Sequence, residues 1–202
     1  MKNRRQIVIV VLSSLLAVSA FAANPFLDAK DDKPLSANFR GREWNDENID
    51  GEIPLTARLV TARIAQMSWG AIFKIGFVDL KSRAKQRREI PPLYFIVTDD
   101  RIVLLNEEDN EAAVKKISAT TKRPECEQSD IRAINSGKLN FEEGPYTTTI
   151  EVKGDECTYL TSHNSGHYSK FVWKKGVGLV EHASNYGAMK DGFRLKRAAS
   201  KK

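Results

Sequence analysis

The sequence is poor in cysteine and histidine, and after its first apolar run it has no further stretch long enough to cross a bilayer. It holds 2 cysteines and 3 histidines in 202 residues, and no Cys-x-x-Cys pair, so the metal and redox chemistry of that motif is excluded. A Gly-rich phosphate loop, a His-Glu-x-x-His sequence and a calcium-binding loop are also absent. No cofactor is therefore expected.

The composition is that of a soluble globular protein. Hydrophobic residues make up 41% and charged residues 29% of the chain, which argues against collagen-like, low-complexity and disordered classes. The length suits one domain. The net charge is +6, but Lys2, Arg4 and Arg5 lie in a segment that we expect to be removed. The remainder has 29 basic and 26 acidic residues, a net charge of +3, so no nucleic-acid partner is expected.

Residues 1–22 have the pattern of a secretory signal peptide. Their positive start is followed by an apolar run from Ile7 to Val18 and by the small-x-small site Ala20-Phe21-Ala22. The run is short for a membrane span, which takes about 20 residues. We expect cleavage after Ala22 and a periplasmic or extracellular bacterial product with no transmembrane segment. The alternative is an uncleaved anchor.

Export changes the interpretation of the two cysteines. A pair of cysteines in an oxidising compartment most often forms a disulfide. The sequence therefore predicts a Cys126–Cys157 bridge. The alternative is two unpaired buried thiols.

The first half of the processed chain is predicted to be an irregular segment followed by strands. Residues 23–54 are rich in Asp, Asn, Gly and Pro without a period, and read as an irregular lead-in. Residues 55–67 suit either a helix or a strand, with a slight preference for a strand. From Trp69 to Val78 the residues alternate with period two, which predicts a strand whose aromatic side chains face inward.

A hairpin and a helix are predicted next. Residues 94–97 and 102–105 are apolar on both faces and flank a tight turn, which predicts a hairpin in the middle of the sheet. Residues 110–118 form a short helix candidate, with Asn110 as its cap, an acidic residue early and lysines late.

The last third of the chain predicts two hairpins and a final strand. Residues 147–152 and 157–161 flank a turn in which Gly154 suits type II′. Residues 168–173 and 177–183 flank Lys174-Lys175-Gly176, where Gly176 suits the left-handed position of a three-residue loop. That register pairs Trp173 with Val177 and Phe171 with Leu179.

These elements define the predicted fold. Residues 192–196 form the last strand, and residues 197–202 form a basic tail. We predict a mainly β fold, α+β with minor helix. It is a single antiparallel curved sheet, or a sandwich or half-barrel, built from hairpins with one short helix near 110–118. Residues 55–196 form its single β-rich domain.

The three histidines, His163, His167 and His182, lie within twenty residues and suggest a metal or catalytic site. In the predicted register His182 lies opposite Tyr168 while His167 is on the other face, so no metal site is expected. A hydrolase would use Ser165 with His167 and Asp155. Ser165 lies in Asn-Ser-Gly-His, which is typical of a turn, so no catalytic residue is assigned.

Ser165-Gly166-His167-Tyr168 resembles the Ser-Gly-x-Tyr loop of bacterial periplasmic lysozyme inhibitors, which are small β-rich proteins. In that family the loop enters the lysozyme cleft. The resemblance covers these four residues. It implies that Ser165, Gly166, His167 and Tyr168 belong to a protruding contact loop.

A second candidate surface is the basic run from Lys81 to Arg88, which holds Arg83, Arg87 and Arg88. It could bind phosphate, lipopolysaccharide or an acidic protein. The alternative is a solvated connection balanced by acidic residues 107–111.

The leading hypothesis is an exported, non-enzymatic binding module whose partner is a protein or another envelope component. Its most specific form is an inhibitor or immunity-type partner of an envelope-active protein. The competing hypotheses are a periplasmic hydrolase or metal-binding protein using the histidine cluster, and an envelope lipid-binding or adaptor protein.

Overall fold

A computed structural model describes residues 24–27, 34–45, 51–84, 89–106, 110–187 and 191–199. These residues form one 12-stranded antiparallel sheet and one α-helix, α1 (Asn110–Ser118). The strands are β1 (Leu35–Trp44), β2 (Ile53–Met67), β3 (Gly70–Ser82), β4 (Leu93–Val97), β5 (Arg101–Leu104), β6 (Ile131–Ile134), β7 (Lys138–Glu143), β8 (Tyr146–Lys153), β9 (Glu156–His163), β10 (Tyr168–Lys174), β11 (Gly178–Tyr186) and β12 (Asp191–Arg197).

The strands follow the order β6-β5-β4-β3-β2-β1-β12-β11-β10-β9-β8-β7, and the sheet curves into a nearly closed barrel. The end strand β6 meets β9 and β10, which are near the other end of the strand order, through side chains. The indole N–H of Trp173 donates to the carbonyl of Arg132 on β6 at 3.1 Å, and the Arg132 guanidinium lies 4.6 Å from the ring centroid of Tyr159. The predicted single antiparallel curved sheet with one short helix is confirmed.

Aromatic rings pack through the interior of the barrel. Phe77 on β3 stacks on His182 of β11 at 5.9 Å, and His182 stacks on Phe171 of β10 at 4.5 Å. Phe95 then packs edge-on against both Phe171 and Trp173. Because inward and outward side chains alternate along each strand, the neighbours of these residues face outward. The interior is thus a filled aromatic core.

Helix α1 adds a second apolar layer outside the barrel. Ile72 and Ile96 alternate with inward-facing residues and are nonetheless buried. The partly buried Val114 and Ile117 of α1 pack against the core. The bounds predicted for this helix are confirmed.

Residues 24–27 close one end of the barrel. Phe26 and Leu27 are buried. The Asn24 side-chain amide donates to the carbonyl of Thr98 at 2.8 Å, and the N–H of Gly176 donates to the carbonyl of Pro25 at 2.8 Å. We call residues 24–27 the N-terminal plug.

Two sequence-based expectations about the first half were wrong. The lead-in over 23–54 contains β1, a ten-residue strand that pairs with β2 through residues 35–43 and with β12 through residues 39–44. The hairpin of β4 and β5 is near one end of the strand order and not in its middle. Burial on both faces therefore did not mark a central position in the strand order. The preference for a strand over residues 55–67 is confirmed by β2.

The register predicted for the first C-terminal hairpin is confirmed, and the register predicted for the second is wrong. Lys153 pairs with Glu156 and Gly154 has a φ of +62°, as the predicted two-residue turn requires. In the next hairpin the predicted register was wrong, because Trp173 pairs with Leu179 and Phe171 pairs with His182. A bulge at Val180 of β11, opposite the Val172/Trp173 step of β10, and a loop over residues 175–177 produce this shift.

The signal peptide predicted over residues 1–22 lies outside the described residues, as do Arg87, Arg88 and residues 200–202 of the basic tail. Arg197 is the last residue of β12, so the tail that was predicted from residue 197 begins within the sheet. Among the residues that the structure describes, no helix is long and apolar enough to span a membrane.

Candidate functional site

Four rings form a continuous row at one end of the barrel. The ring centroids of Tyr146 and His163 are 5.1 Å apart, those of His163 and His167 are 5.8 Å apart, and those of His167 and Tyr186 are 5.0 Å apart. The row crosses from β8 to β11 where β9 and β11 end. Tyr146 is 38% and Tyr186 58% exposed. We call these four residues the ring row.

The loop that carries the middle of the ring row is held by hydrogen bonds. The N–H of His163 donates to the carbonyl of His167 at 2.8 Å, and the N–H of Gly166 donates to the carbonyl of His163 at 2.9 Å. The Asn185 side-chain amide donates to the carbonyl of Gly166 at 2.7 Å, while its oxygen accepts from the indole of Trp44. The loop is therefore fixed to both β11 and β1.

Ser165 contacts a different histidine from the one that the hydrolase hypothesis needs. Its Oγ is 2.6 Å from Nδ1 of His163, and its backbone N–H donates to the same nitrogen at 3.0 Å. Because an N–H donates to it, Nδ1 is an acceptor in this arrangement. Asp155, the third proposed member, lies in the turn at the opposite end of β9 and pairs with Lys174 at 3.1 Å. The contacts of Ser165 are those of a turn.

His182 is separated from the other two histidines. It lies in the aromatic core, where burial lowers its pKa to about 4. Its Nδ1 is 3.3 Å from the carbonyl of Lys170. The expectation that His182 lies across from Tyr168 was wrong, because the loop over residues 175–177 and the bulge at Val180 of β11 place His182 opposite Phe171. Within the described ranges, no group of three or more His, Cys, Asp or Glu side chains is placed to hold a metal ion.

The two cysteines are unbonded, so the predicted disulfide is corrected. Cys157 faces the core from β9 and accepts a hydrogen bond from the backbone of Ile134, and burial raises the pKa of its thiol. Cys126 is only partly buried, and its Sγ accepts from Nη1 of Arg101 at 3.9 Å. Each sulfur is engaged with a different part of the β5–β6 region. The alternative of two unpaired thiols fits this arrangement, although only Cys157 is buried.

A second surface covers the outside of the barrel around β12 and β1. Arg40 lies directly across from Lys196, and Arg42 lies directly across from Arg194. All four side chains alternate with buried residues and point outward. We call this surface the basic face, and it comprises Arg40, Arg42, Arg58, Lys81, Lys170, Arg194 and Lys196.

One carboxylate, Glu181, is enclosed within the basic face. Its oxygens lie 3.1 Å from Nζ of Lys170, 2.9 Å from Nε of Arg194 and 3.4 Å from Nζ of Lys196. Burial would raise its pKa, but the hydrogen bond from Lys170 and the charges of the three cations lower it below its usual value. Glu181 is therefore a structural anion, and the outer parts of Arg194 and Lys196 remain about half exposed.

A bulge in β3 shapes a groove at the edge of the basic face. Asp79 has a φ of +54°, and the register between β2 and β3 shifts beside it. Arg58 donates to Asp79 across this bulge at 2.9 Å. The groove has a volume of about 680 Å³ and is lined by Arg40, Lys81 and Arg197, among others.

The sequence-based binding candidates fall on both surfaces. Ser165, Gly166 and His167 belong to the loop of the ring row. Tyr168 points away from that row. Burial raises the pKa of its hydroxyl, and the charges of Arg194 and Glu181 also act on it. Arg83 follows β3 directly, two residues beyond Lys81 of the basic face.

Sequence reasoning missed Tyr146 and Tyr186 of the ring row and most of the basic face. Tyr146 is on β8, seventeen positions before its ring partner His163, and only the pairing of β8 with β9 connects them. The cations of β1 and β12 are far apart along the chain. The signal that could have revealed an outward basic strand was the sequence Phe39-Arg40-Gly41-Arg42, in which every second residue is an arginine.

Comparison of the chain with models of protein families and with curated proteins finds no match.

Proposed function

We propose that this protein is an exported, non-enzymatic binding module that holds a protein partner against the ring row. The observation that carries the proposal is the line of four rings, two of them well exposed, on a loop fixed by hydrogen bonds. Tyrosine is enriched at protein interfaces because it offers a large apolar ring with a polar end. Histidine rings have the same amphipathic character.

The hydrogen bonds of the loop support a role in binding. A partner that meets a flexible loop must pay for ordering it, whereas a fixed loop avoids most of this entropic cost. The bonds from Asn185 to both Gly166 and Trp44 tie the loop to the sheet before any partner arrives. This preorganisation favours recognition of a surface of defined shape.

The contacts of Ser165 support a non-enzymatic role. A serine nucleophile needs a base that can take its proton and that is itself oriented by a third group. Nδ1 of His163 already accepts from the Ser165 backbone, and Asp155 is paired at the other end of β9.

The export part of the proposal is supported by the signal-peptide pattern of residues 1–22. The N-terminal plug starts at Asn24, two residues after the expected cleavage site. N-terminal sequencing of the protein recovered from cells should give a chain beginning at Ala23. Recovery from the cytoplasm with residue 1 intact would contradict this part of the proposal.

The binding proposal is tested by placing a photo-crosslinking amino acid at position 186 in cells that make the protein. Leu160 is the matched control, because it is 38% exposed on β9 and outside the ring row. We expect a defined protein adduct from position 186, lost when Tyr146→Ala is added, and none from position 160. Equal adducts from both positions, or none from position 186, would refute it.

A further inference from the structure

We propose that the basic face is a docking surface for an anionic lipid bilayer, whose phosphate headgroups bind Arg40, Arg42, Arg58, Lys81, Arg194 and Lys196. This site is separate from the ring row and does not depend on the function proposed for it. The proposal rests on the geometry of the cations across four neighbouring strands.

The cations are arranged side by side, at a cost to the isolated protein. Cross-strand neighbours lie about 5 Å apart, and like charges in such pairs are destabilising. The pairs Arg40–Lys196 and Arg42–Arg194 place two such repulsions next to each other on β1 and β12. A surface that brings anions to these pairs relieves the repulsion.

The carboxylates near this face neutralise only some of its cations. Glu181 takes the inner contacts of Arg194 and Lys196, Asp79 pairs with Arg58, and Glu52 lies 3.5 Å from Arg42. Arg40 and Lys81 are exposed and form no ion pair with a carboxylate of the described residues. External phosphates can therefore contribute the most binding energy at Arg40 and Lys81.

The array extends in two dimensions. Lys196, Arg40 and Lys81 lie in one row across β12, β1, β2 and β3, with Thr56 on β2 between the last two. With strands about 4.8 Å apart this row is about 15 Å long. Arg194 and Arg42 form a parallel row two residues along. The array is therefore a two-dimensional patch on the convex outside of the barrel, and its long Arg and Lys side chains can extend from it toward a headgroup layer.

The chemistry of the face favours lipid over the other polyanions. A single-stranded nucleic acid is usually held by aromatic rings that stack on its bases, and the six side chains of the array are all aliphatic cations. A protein interface is depleted of charge at its centre, whereas the centre of this face is Arg40 and Lys196. Anionic membranes attract basic clusters without either feature.

The test is co-flotation of the full protein with vesicles of phosphatidylcholine alone or with about one third phosphatidylglycerol. We expect binding to the mixed vesicles only, and loss of binding at high salt because exposed charges are screened. Equal binding to both vesicle types would overturn the proposal.

Arg40→Glu/Lys196→Glu is compared with Lys115→Glu/Lys116→Glu on the exposed side of α1. Both double variants lower the net charge equally. We expect a drop of at least about tenfold in the partition coefficient for the first pair, and a change of less than about twofold for the second. Equal losses would mean that only net charge matters and would refute a localised site.

Two further measurements keep the result interpretable. The thermal midpoint of the Arg40/Lys196 variant should lie below that of the parent protein, because the variant sets two carboxylates opposite each other and removes the contact of Lys196 with Glu181, so the vesicle comparison is made at a temperature where both proteins are folded. If that variant unfolds, Arg40→Gln with Lys81→Gln replaces it, with the same expected loss. Preference for a single-stranded oligonucleotide over mixed vesicles at equal phosphate concentration would overturn the lipid assignment.

Discussion

The ring row lies on β8, β9, β11 and the loop before β10, whereas the basic face lies on β10, β12, β1, β2 and β3. The two surfaces are built on opposite principles. The ring row uses residues of neighbouring strands and one short loop, and local hydrogen bonds fix it. The basic face combines side chains from the first and last strands of the chain and holds them by charge around Glu181. The first surface is suited to a partner of defined shape, and the second to a partner defined by charge.

Ser165-Gly166-His167-Tyr168 lies at the boundary between these surfaces. His167 contacts the rings of His163 and Tyr186, whereas Tyr168 turns outward beside the basic face. A four-residue motif thus contributes to two surfaces because side chains alternate along an extended chain. Substitutions that separate the two surfaces can therefore be chosen on either side of this point.

The largest expected effect is that of Glu181→Ala, which removes the anion of the basic face. Three cations would lose their shared partner, and because two of them are about half exposed and can be solvated, the cost is about 2 kcal/mol. Chemical denaturation should show that loss at neutral pH. Binding to anionic vesicles by the folded fraction should rise, and crosslinking from position 186 should be unchanged.

The pH dependence of Glu181 sharpens this prediction. Its folded pKa is lowered, so the stability it contributes is present above the unfolded carboxyl pKa and is lost as pH falls through the folded value. The parent protein should therefore lose more stability than Glu181→Ala between neutral pH and pH values below the usual glutamate range. Parallel pH curves for the two proteins would contradict this.

His182→Phe tests the contrast between the core histidine and those of the ring row. The folded pKa is about 4 against an ordinary value of 6.5, so the unfolded chain takes up the proton first and stability falls as pH drops through this window. The loss between pH 7 and pH 5 is about 2 kcal/mol. Urea unfolding should show it in the parent protein and much less in the variant.

A smaller effect is expected for Gly166→Ala, which acts on the ring row alone. Gly166 has a φ of +89°, a conformation that an alanine adopts with strain of about 1 kcal/mol. We expect that loss of stability, a lower yield of the crosslinked adduct at position 186 and unchanged vesicle binding. Gly137→Ala is the matched control, because its φ is +82° and it is remote from the ring row. The same weakening in both variants would mean that the loop has no specific role.

The smallest effect on stability is expected for Tyr186→Ser. More than half of this side chain is exposed, and such surface changes stay within about 0.5 kcal/mol. Partner binding should nevertheless weaken by about tenfold, the usual cost of truncating an interface tyrosine. A titration with the crosslinked partner, once purified, measures this. Unchanged affinity would remove Tyr186 from the site.

Much of the fold could be predicted because local signals were strong. Alternation from Trp69 onward, the Gly154 turn and the bounds of α1 all follow from period and turn chemistry. The same reasoning gave the wrong register for the hairpin of β10 and β11. Its bulge lies at Val180, inside β11, and this extra residue shifts the register without a local signature.

The candidate surfaces were less predictable than the fold. Strand β1 was hidden in a segment rich in turn-forming residues, so Arg40 and Arg42 could not be placed beside Lys196 and Arg194. Their proximity depends on the pairing of the first and last strands. The loop of the ring row was recognised from its own residues, but its tyrosines come from two other strands.

The N-terminal plug has a consequence for the order of folding. Its docking site combines Thr98, Asn135 and Gly176, which the chain brings together only when β4, β6, β10 and β11 are in place. Residues 24–27 are made before any of these partners, yet they can settle only after the sheet has assembled. We therefore expect burial of Phe26 to come late in folding, and the appearance of protection from proteolysis at Asn24 would measure when the barrel is complete.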